Sequence, residues 1–220
     1  MNLKKTKRSE INRAPSRGYY DKKTIYQIID ESNYCHISFI QNKEPFIIPT
    51  IHARIKDKLY FHGSKTSRLL HHIADGNPVC IAMTIFDGFV LARSVVHHSM
   101  NYRSVVLFGK GERIEDSKMK LKAFKAMSNH LLPGRWEDVR QPNEREINST
   151  AVVAVKIDEA SAKMRTGPPL DDEEDYKLAV WAGVLPVLKG FNKPVSDPKL
   201  KSSISLPGYI KNHLLKHSNS

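Results

Sequence analysis

Two cysteines in 220 residues, Cys35 and Cys80, leave this chain without a disulfide framework or a thiolate metal site. Both sit in apolar, strand-like surroundings with no CxxC or Cys/His ligand spacing, which reads as core thiols in a reducing compartment. No apolar run approaches the roughly 20 residues that span a bilayer. The opening Met-Asn-Leu-Lys-Lys-Thr-Lys-Arg has no apolar segment behind it, so no secretory signal is visible. The expectation is a cytoplasmic protein without a membrane partner, nuclear presence remaining open. Catalytic signatures are missing as well: there is no HExxH, no Gly-x-Ser-x-Gly elbow, no Gly-x-Gly-x-x-Gly turn and no P-loop. There is no internal repeat. A chain of this length holds one full core and an appendage, hardly two large domains.

The net charge of +12 is unevenly placed. Residues 1–18 carry six cations against Glu10, and residues 187–220 carry six against Asp197, which leaves +2 for everything between. Nucleic-acid domains concentrate charge on the folded face that meets phosphate. Here the excess lies in arms that read as weakly structured, so no specific nucleic-acid binding is expected. The division is a basic arm over 1–16, a body over 17–186 and a basic extension over 187–220, the last partly packed on the body.

The body reads as many short strands with a few helices. Asp21 can cap a helix bearing Ile25, Ile28 and Ile29 at helical spacing. Strands are expected over 34–40, 46–54, 59–62 and 79–86, with Asp87-Gly88 as a hairpin turn before 89–92. A long strand over 102–113 precedes an amphipathic helix over about 116–130, with Met119, Phe124 and Met127 in its apolar set. Strands near 150–157 and 162–164 complete the count. This pattern predicts a mainly β fold with peripheral helices, a closed or nearly closed barrel.

What is present is a run of anion-binding residue types, Leu59-Tyr60-Phe61-His62-Gly63-Ser64-Lys65-Thr66-Ser67-Arg68. A strand ending in glycine meets a helix start rich in hydroxyls and cations, where free N–H groups favour an anion. Lysine, the arginine fork and the hydroxyls suit a phosphate monoester. The same residues also suit a helix capped by Ser67 with solvated charges. Adjacent histidines point apart, so neither His71-His72 nor His97-His98 chelates a metal alone. One partner of each pair is expected in solvent and the other hydrogen-bonded in a wall; no metal site is expected. The acidic run 171–175 reads as a solvated loop.

Several segments in order resemble a known family. His98-Ser99-Met100-Asn101-Tyr102-Arg103-Ser104-Val105, Pro133-Gly134-Arg135-Trp136, the stretch from Ala160 to Pro169, and Val180-Trp181-Ala182-Gly183-Val184-Leu185-Pro186 are similar to flavin-nucleotide-binding proteins of the pyridoxamine 5′-phosphate oxidase-like superfamily. Pro49-Thr50, His62-Gly63-Ser64, Ser67-Arg68 and the stretch from Asp87 to Ser94 fit the same pattern, from about Arg17 to Tyr209. The resemblance implies an FMN-binding split β-barrel that forms a homodimer and holds FMN at the dimer interface. It implies that Lys65, Ser67 and Arg68 bind the FMN phosphate. Pro49, Thr50, Phe61 and His62 would line the ring and ribityl chain, Tyr102, Arg103 and Ser104 would approach from a neighbouring strand, and Trp181 would close the pocket from the partner subunit. Lys163 and Arg165 could neutralise a second anion or pair with the acidic loop. No catalytic residue follows from the resemblance. The arginine-rich C-terminal element of true pyridoxamine phosphate oxidases has no counterpart in Lys211-Asn212-His213-Leu214-Leu215-Lys216, which argues against vitamin B6 oxidation. Three readings follow: an FMN-dependent oxidoreductase of an unidentified small molecule, a non-catalytic flavin or haem binder, and a basic-armed interaction protein on a barrel scaffold.

Overall fold

Alternation of apolar and polar residues builds one continuous antiparallel sheet in the computed structural model, which describes residues 2–218 and side chains through Leu215. In chain order the elements are β1 (Gly18–Tyr19), α1 (Lys22–Glu31), β2 (Cys35–Gln41), β3 (Glu44–Thr50), β4 (Ala53–Ile55), β5 (Lys58–Ser64), α2 (Arg68–Ala74), β6 (Pro78–Leu91), β7 (Ser99–Arg113), α3 (Ser117–Leu131), α4 (Arg135–Asp138), α5 (Glu144–Ser149), β8 (Thr150–Lys156), β9 (Glu159–Arg165), β10 (Gly183–Pro186) and α6 (Gly208–Ser218). The sheet runs β3-β2-β6-β7-β8-β5-β4, with β9 on β7, β10 on β6 and β1 on β9. The end strands β3 and β4 do not pair with each other, so the barrel is split.

β7 makes this shape possible. Its first part pairs with β6 and β9, and its last residues, Gly111 to Arg113, pair with β8. Crossing between the two halves brings backbone close to backbone: a Cβ on Gly111 would sit 2.8 Å from the Ala154 carbonyl oxygen. Inward residues of β2, β6 and β7, among them Ile37, Ile81 and Leu107, join Phe61 and the α1 isoleucines in the main core. Burying a side chain such as Phe61 is worth about 1.5–3 kcal/mol. A second cluster lies where α3 covers Tyr60, Val152 and Ala154.

The expected α1 and α3 are present, capped by the Asp21 and Asp116 carboxylates. The expected strand over 46–54 is interrupted at Ile51–His52, giving β3 and β4. The expected hairpin at Asp87-Gly88 is absent. Strand β6 continues to Leu91 with a bulge between Phe86 and Gly88. Gly88 holds φ 154, and a Cβ there would lie 2.6 Å from the Leu185 carbonyl oxygen of β10. The glycine therefore serves close strand approach, not a turn. Cys35 is buried as expected, but Cys80 is half-buried on the outer side of β6.

The N-terminal stretch is also more ordered than its charge suggests. Leu3 is buried, its N–H donates to the Tyr20 carbonyl at 2.9 Å, and Lys4 N–H donates to the Asp158 carbonyl at 3.0 Å. Arg8 grips the Glu159 carboxylate through two nitrogens, at 2.8 and 2.6 Å. At the other end, residues 187–207 form no helix or strand, turn twice at Asp197–Leu200 and Lys201–Ile204, and are largely exposed, and then α6 docks back. Tyr209 donates its hydroxyl to Asp138 at 2.8 Å and accepts from Arg135 at 3.0 Å. Lys216, one of the cations counted in the extension, has its side chain outside the described residues.

Candidate functional site

Strand β5 delivers the anion-binding residue types to one edge of the barrel. Its register with β8 sets His62 opposite Val152 and Ser64 opposite Thr150. The chain then turns into α2 with the Ser67 N–H donating to the Ser64 carbonyl at 3.0 Å. Ser64 Oγ accepts from Thr66 N–H at 3.1 Å and lies 2.8 Å from Thr66 Oγ1. Ser67 Oγ caps α2, accepting from Leu70 N–H at 3.4 Å. Lys65 and Arg68 are exposed, and neither forms an ion pair among the described residues. The Arg68 guanidinium instead lies over the Phe46 ring, 4.7 Å from its centroid.

Beside this turn is an open recess of about 400 Å³ lined by His62, Phe124, Met127, Leu131, Trp136 and Thr150. The His62 ring meets Phe124 edge-on at 5.7 Å, and its Nδ1 lies 2.7 Å from Met127 Sδ. Desolvation in this packing lowers the His62 pKa, so the imidazole is neutral near pH 7. Arg140 and Glu146 close the rim as an ion pair at 2.6 Å. Phosphate-type donors, an apolar wall and a neutral imidazole thus adjoin through the Ser64–Thr150 pairing. Such a mostly apolar recess with a few directed polar groups is the usual form of a cofactor site.

The other residues expected at the site lie elsewhere in the chain. Phe61 alternates with His62 and points into the core, 1% exposed. Pro49 is exposed on the outer face of the sheet, opposite His36. Thr50 is half-buried, with its hydroxyl 3.4 Å from the Ile51 carbonyl. Tyr102 and Ser104 are half-buried on the outer face of β7, and Ser104 donates to the Lys163 carbonyl at 3.1 Å. Arg103 is fully engaged: its guanidinium forks Asp87 at 2.9 Å and also pairs with Glu31. Those carboxylates raise the Arg103 pKa, and Arg103 in turn holds Asp87 below the usual carboxylate range. Trp181 is 67% exposed on the segment leading into β10. The structure therefore brings together His62, Lys65, Ser67 and Arg68, and leaves the rest on the outer face, in the core or in separate contacts.

Among the histidine pairs, His71 is exposed while His72 is buried with Nε2 3.1 Å from the Pro78 carbonyl. The acidic run is not a solvated loop throughout. The Asp171 carboxylate is wholly enclosed and accepts from Arg93 N–H at 2.9 Å and from its guanidinium at 3.1 Å. Ligand atoms of His97, Asp172 and Asp175 converge within 4.8 Å of one another at the surface. Among the described residues no helix is long and apolar enough to cross a membrane.

Comparison with known proteins agrees with this architecture. The sequence profile described as pyridoxamine 5′-phosphate oxidase matches residues 21–164, nearly two thirds of the chain. The chain belongs to this family. Within the pyridoxamine 5′-phosphate oxidase family, it is similar to the flavocytochrome Anf3 of Azotobacter vinelandii, at 36% identity over 94% of this chain and 97% of that one, with a TM-score of 0.88. It is also similar to the FAD and heme binding protein of Mycobacterium smegmatis, at 28% identity over 90% of this chain and 97% of that one, with a TM-score of 0.86. A putative 5-nitroimidazole antibiotic resistance protein of Bacteroides thetaiotaomicron shares the fold at 24% identity, over 66% of this chain and 85% of that one, with a TM-score of 0.55. No curated protein matches the chain.

The recess wall from α3 and α4 escaped sequence reasoning. Phe124 and Met127 look like core positions on an amphipathic helix. The usable signal was Leu131, one turn beyond Met127 on the same stripe, together with Trp136 after a glycine.

Proposed function

We propose that this member of the family binds a flavin nucleotide, FMN in its minimal form, as a flavin-dependent oxidoreductase. The carrying observation is the 64–68 turn, whose two cations have no carboxylate partner among the described residues and whose Ser64 pairs with Thr150 in the wall of the apolar recess. Lys65 and Arg68 hold the phosphate, while Phe124, Met127 and Trp136 shield one face of the ring from water. A bound flavin supplies hydride and single-electron transfer. His62 stays neutral and presents imidazole to the ring, or to a substrate, without adding charge.

The outer-face residues complete the site through a homodimer. Pro49, Tyr102 and Ser104 share a face with Ala82 and Val106 that carries the exposed Ile47. A two-fold contact on this face repeats the patch on both copies and sets one copy's outer strands beside the other's cradle. The substrate is an unidentified small molecule. The free thiols of Cys35 and Cys80 fit a cytoplasmic setting.

A second reading, haem in addition to flavin, is favoured by the relatives' names and by His62, whose neutral imidazole is the form that ligates iron. Purification followed by visible spectra, before and after anaerobic NADH or NADPH, tests both. A yellow protein bleached by reductant supports flavin chemistry, a Soret band supports haem, and a colourless protein that takes up neither cofactor contradicts both.

A further inference from the structure

The C-terminal extension holds one long irregular loop pinned at both ends. At its start, Val187 N–H donates to the Asp87 carbonyl at 3.1 Å, and Lys189 pairs with the Asp87 carboxylate at 3.1 Å. At its end, α6 returns to the body through Tyr209, and the Phe191 and His213 rings meet with centroids 5.1 Å apart. From Asn192 to Leu206 the hydrogen bonds among the described residues are internal to the loop. Leu200 N–H donates to the Asp197 carbonyl, Lys199 N–H to the Asp197 carboxylate and Ile204 N–H to the Lys201 carbonyl. Loops of this length without secondary structure are uncommon in compact domains and usually carry a function. This one displays apolar side chains to solvent: Val195 is 95% exposed, and Leu200 and Ile204 are exposed as well. Lys193, Lys199 and Lys201 stand among them, and none forms an ion pair among the described residues.

The same chain carries a matching surface. The acidic run sits beside the turn joining β6 to β7, where Asp171 accepts from Arg93 N–H and Ser94 N–H. Asp172, Glu173 and Glu174 are exposed, and among the described residues only Asp172 has a side-chain partner, His97 at 3.4 Å. Lys163 and Arg165 do not compensate them. Lys163 donates to the Arg13 carbonyl, and Arg165 bonds only the oxygens of Asn101, Gly167 and Pro168. Apolar residues surround these acids. Phe89 on β6 pairs directly with Met100 on β7 and with Leu185 on β10, so the three share one face, and all three are exposed. Val95 and Val96 in the adjoining turn, and Leu178 beyond the acidic run, are exposed too. Apolar surface of this kind, rimmed by charge, marks an interaction site.

We propose that the 192–207 loop of one copy lies on the acidic and apolar surface of a second copy, in a reciprocal exchange across a two-fold axis. Lys193, Lys199 and Lys201 meet Asp172, Glu173 and Glu174, while Val195 and Ile204 cover the row centred on Phe89. Charge sign and polarity match between two surfaces that the protein itself supplies, and a two-fold contact uses each of them twice. A loop of about 16 residues fixed at both ends projects up to roughly 25 Å, enough to reach onto a neighbour. Nucleic acid fits less well, since single strands want aromatic stacking platforms beside the cations and no aromatic residue lies between Asn192 and Pro207. Met100 lies two residues before Tyr102 on β7, so this surface continues the outer face on which the homodimer is placed. The inference rests on that homodimer and adds what the C-terminal extension does in it.

Charge reversal in the full chain tests it. One variant is Lys193→Glu/Lys199→Glu/Lys201→Glu and the other is Asp172→Lys/Glu173→Lys/Glu174→Lys. All six side chains are exposed, so both variants should fold, as circular dichroism checks. Sedimentation of fluorescently labelled chains should show self-association of each variant weakened at least tenfold. Mixing the two should restore near-parental affinity as a heterodimer, because every loop then meets an acidic or reversed run of opposite sign. Combining both sets in one chain should restore the homodimer. Val195→Ser/Ile204→Ser should weaken self-association several-fold at any ionic strength, whereas the charge effects fade with salt.

A parent dimer that both reversals leave unchanged overturns the proposal, and the loop then serves another partner or none. A mixture with no preference for the heterodimer also overturns it, since that is the result when each loop folds onto its own chain. In both cases the homodimer stands. A parent that is monomeric at micromolar concentration removes the homodimer and this inference with it.

Discussion

Arg68 is the first residue of α2, and its guanidinium lies 4.7 Å from the centre of the Phe46 ring on β3. A strand at the sheet's edge thereby orients the one arginine of the 64–68 turn. Among the described residues no acid pairs with it. A cation over an exposed ring is worth about 0.5–1 kcal/mol, so the stack positions the group more than it stabilises the fold.

Replacing Arg68 by alanine should weaken FMN binding about ten- to hundredfold, which corresponds to the roughly 1.5–3 kcal/mol of a charge-assisted hydrogen bond. The melting temperature of the unliganded protein should barely move. Phe46→Leu should reproduce a small part of the affinity loss, about two- to fivefold by the cation–ring estimate. Fluorescence titration of FMN against each variant measures both.

The outer sheet face predicts the oligomeric state. Ala82 lies between His36 on β2 and Val106 on β7, at the centre of that face. Ala82→Glu would place like charges together across a two-fold contact. Light scattering should give twice the 25.0 kDa chain mass for the parent and the chain mass for the variant. A parent that is monomeric at micromolar concentration removes the dimer and its shared site.

Acid sensitivity follows from a buried histidine. His52 Nε2 donates to the Ile29 carbonyl at 2.9 Å, and Nδ1 has no hydrogen-bond partner. Burial drives its pKa down to about 4, so the folded state favours neutral imidazole. The unfolded chain binds the proton first, near the ordinary histidine value of about 6.5. This contribution is therefore complete above that value and is lost as pH falls toward 4, by roughly 3 kcal/mol. Urea midpoints should fall across that interval in the parent. They should fall less in His52→Gln, which keeps a donor for Ile29 but does not titrate.

Trimming residues 1–12 should destabilise the fold. It removes buried Leu3 and leaves Glu159 without Thr6 and Arg8. Losing the Leu3 burial alone is worth about 1.5–3 kcal/mol, which in a chain of this size lowers Tm by at least about 3 °C. Differential scanning calorimetry of the trimmed and full chains measures this.

Much of the barrel was legible because its signals are local. Asp21 and Asp116 announced their helices, and the apolar run of β6 announced a strand, though it read as buried throughout where the structure buries one face only. Asp87-Gly88 misled because the dipeptide suits a turn equally well, and only the approach of β10 turns it into a bulge. The order of residues 2–20 was hidden because it rests on partners such as Glu159 and Asp158, far along the chain. At the site, residues within one strand and turn could be read together. Arg103 could not, since its partners Glu31 and Asp87 come from two other elements. Phe61 and His62 are neighbours in sequence but face opposite sides of β5, one into the core and one into the recess.

The central claim is that the 64–68 turn holds a flavin phosphate, and parallel titrations of the purified chain with FMN and riboflavin test it most directly. The two ligands share the ring and differ in the phosphate. The account predicts that FMN fluorescence is quenched at micromolar protein, that riboflavin binds at least tenfold more weakly, and that this difference largely disappears in Arg68→Ala. Equal binding of FMN and riboflavin to the parent protein, or no quenching of either, would contradict it.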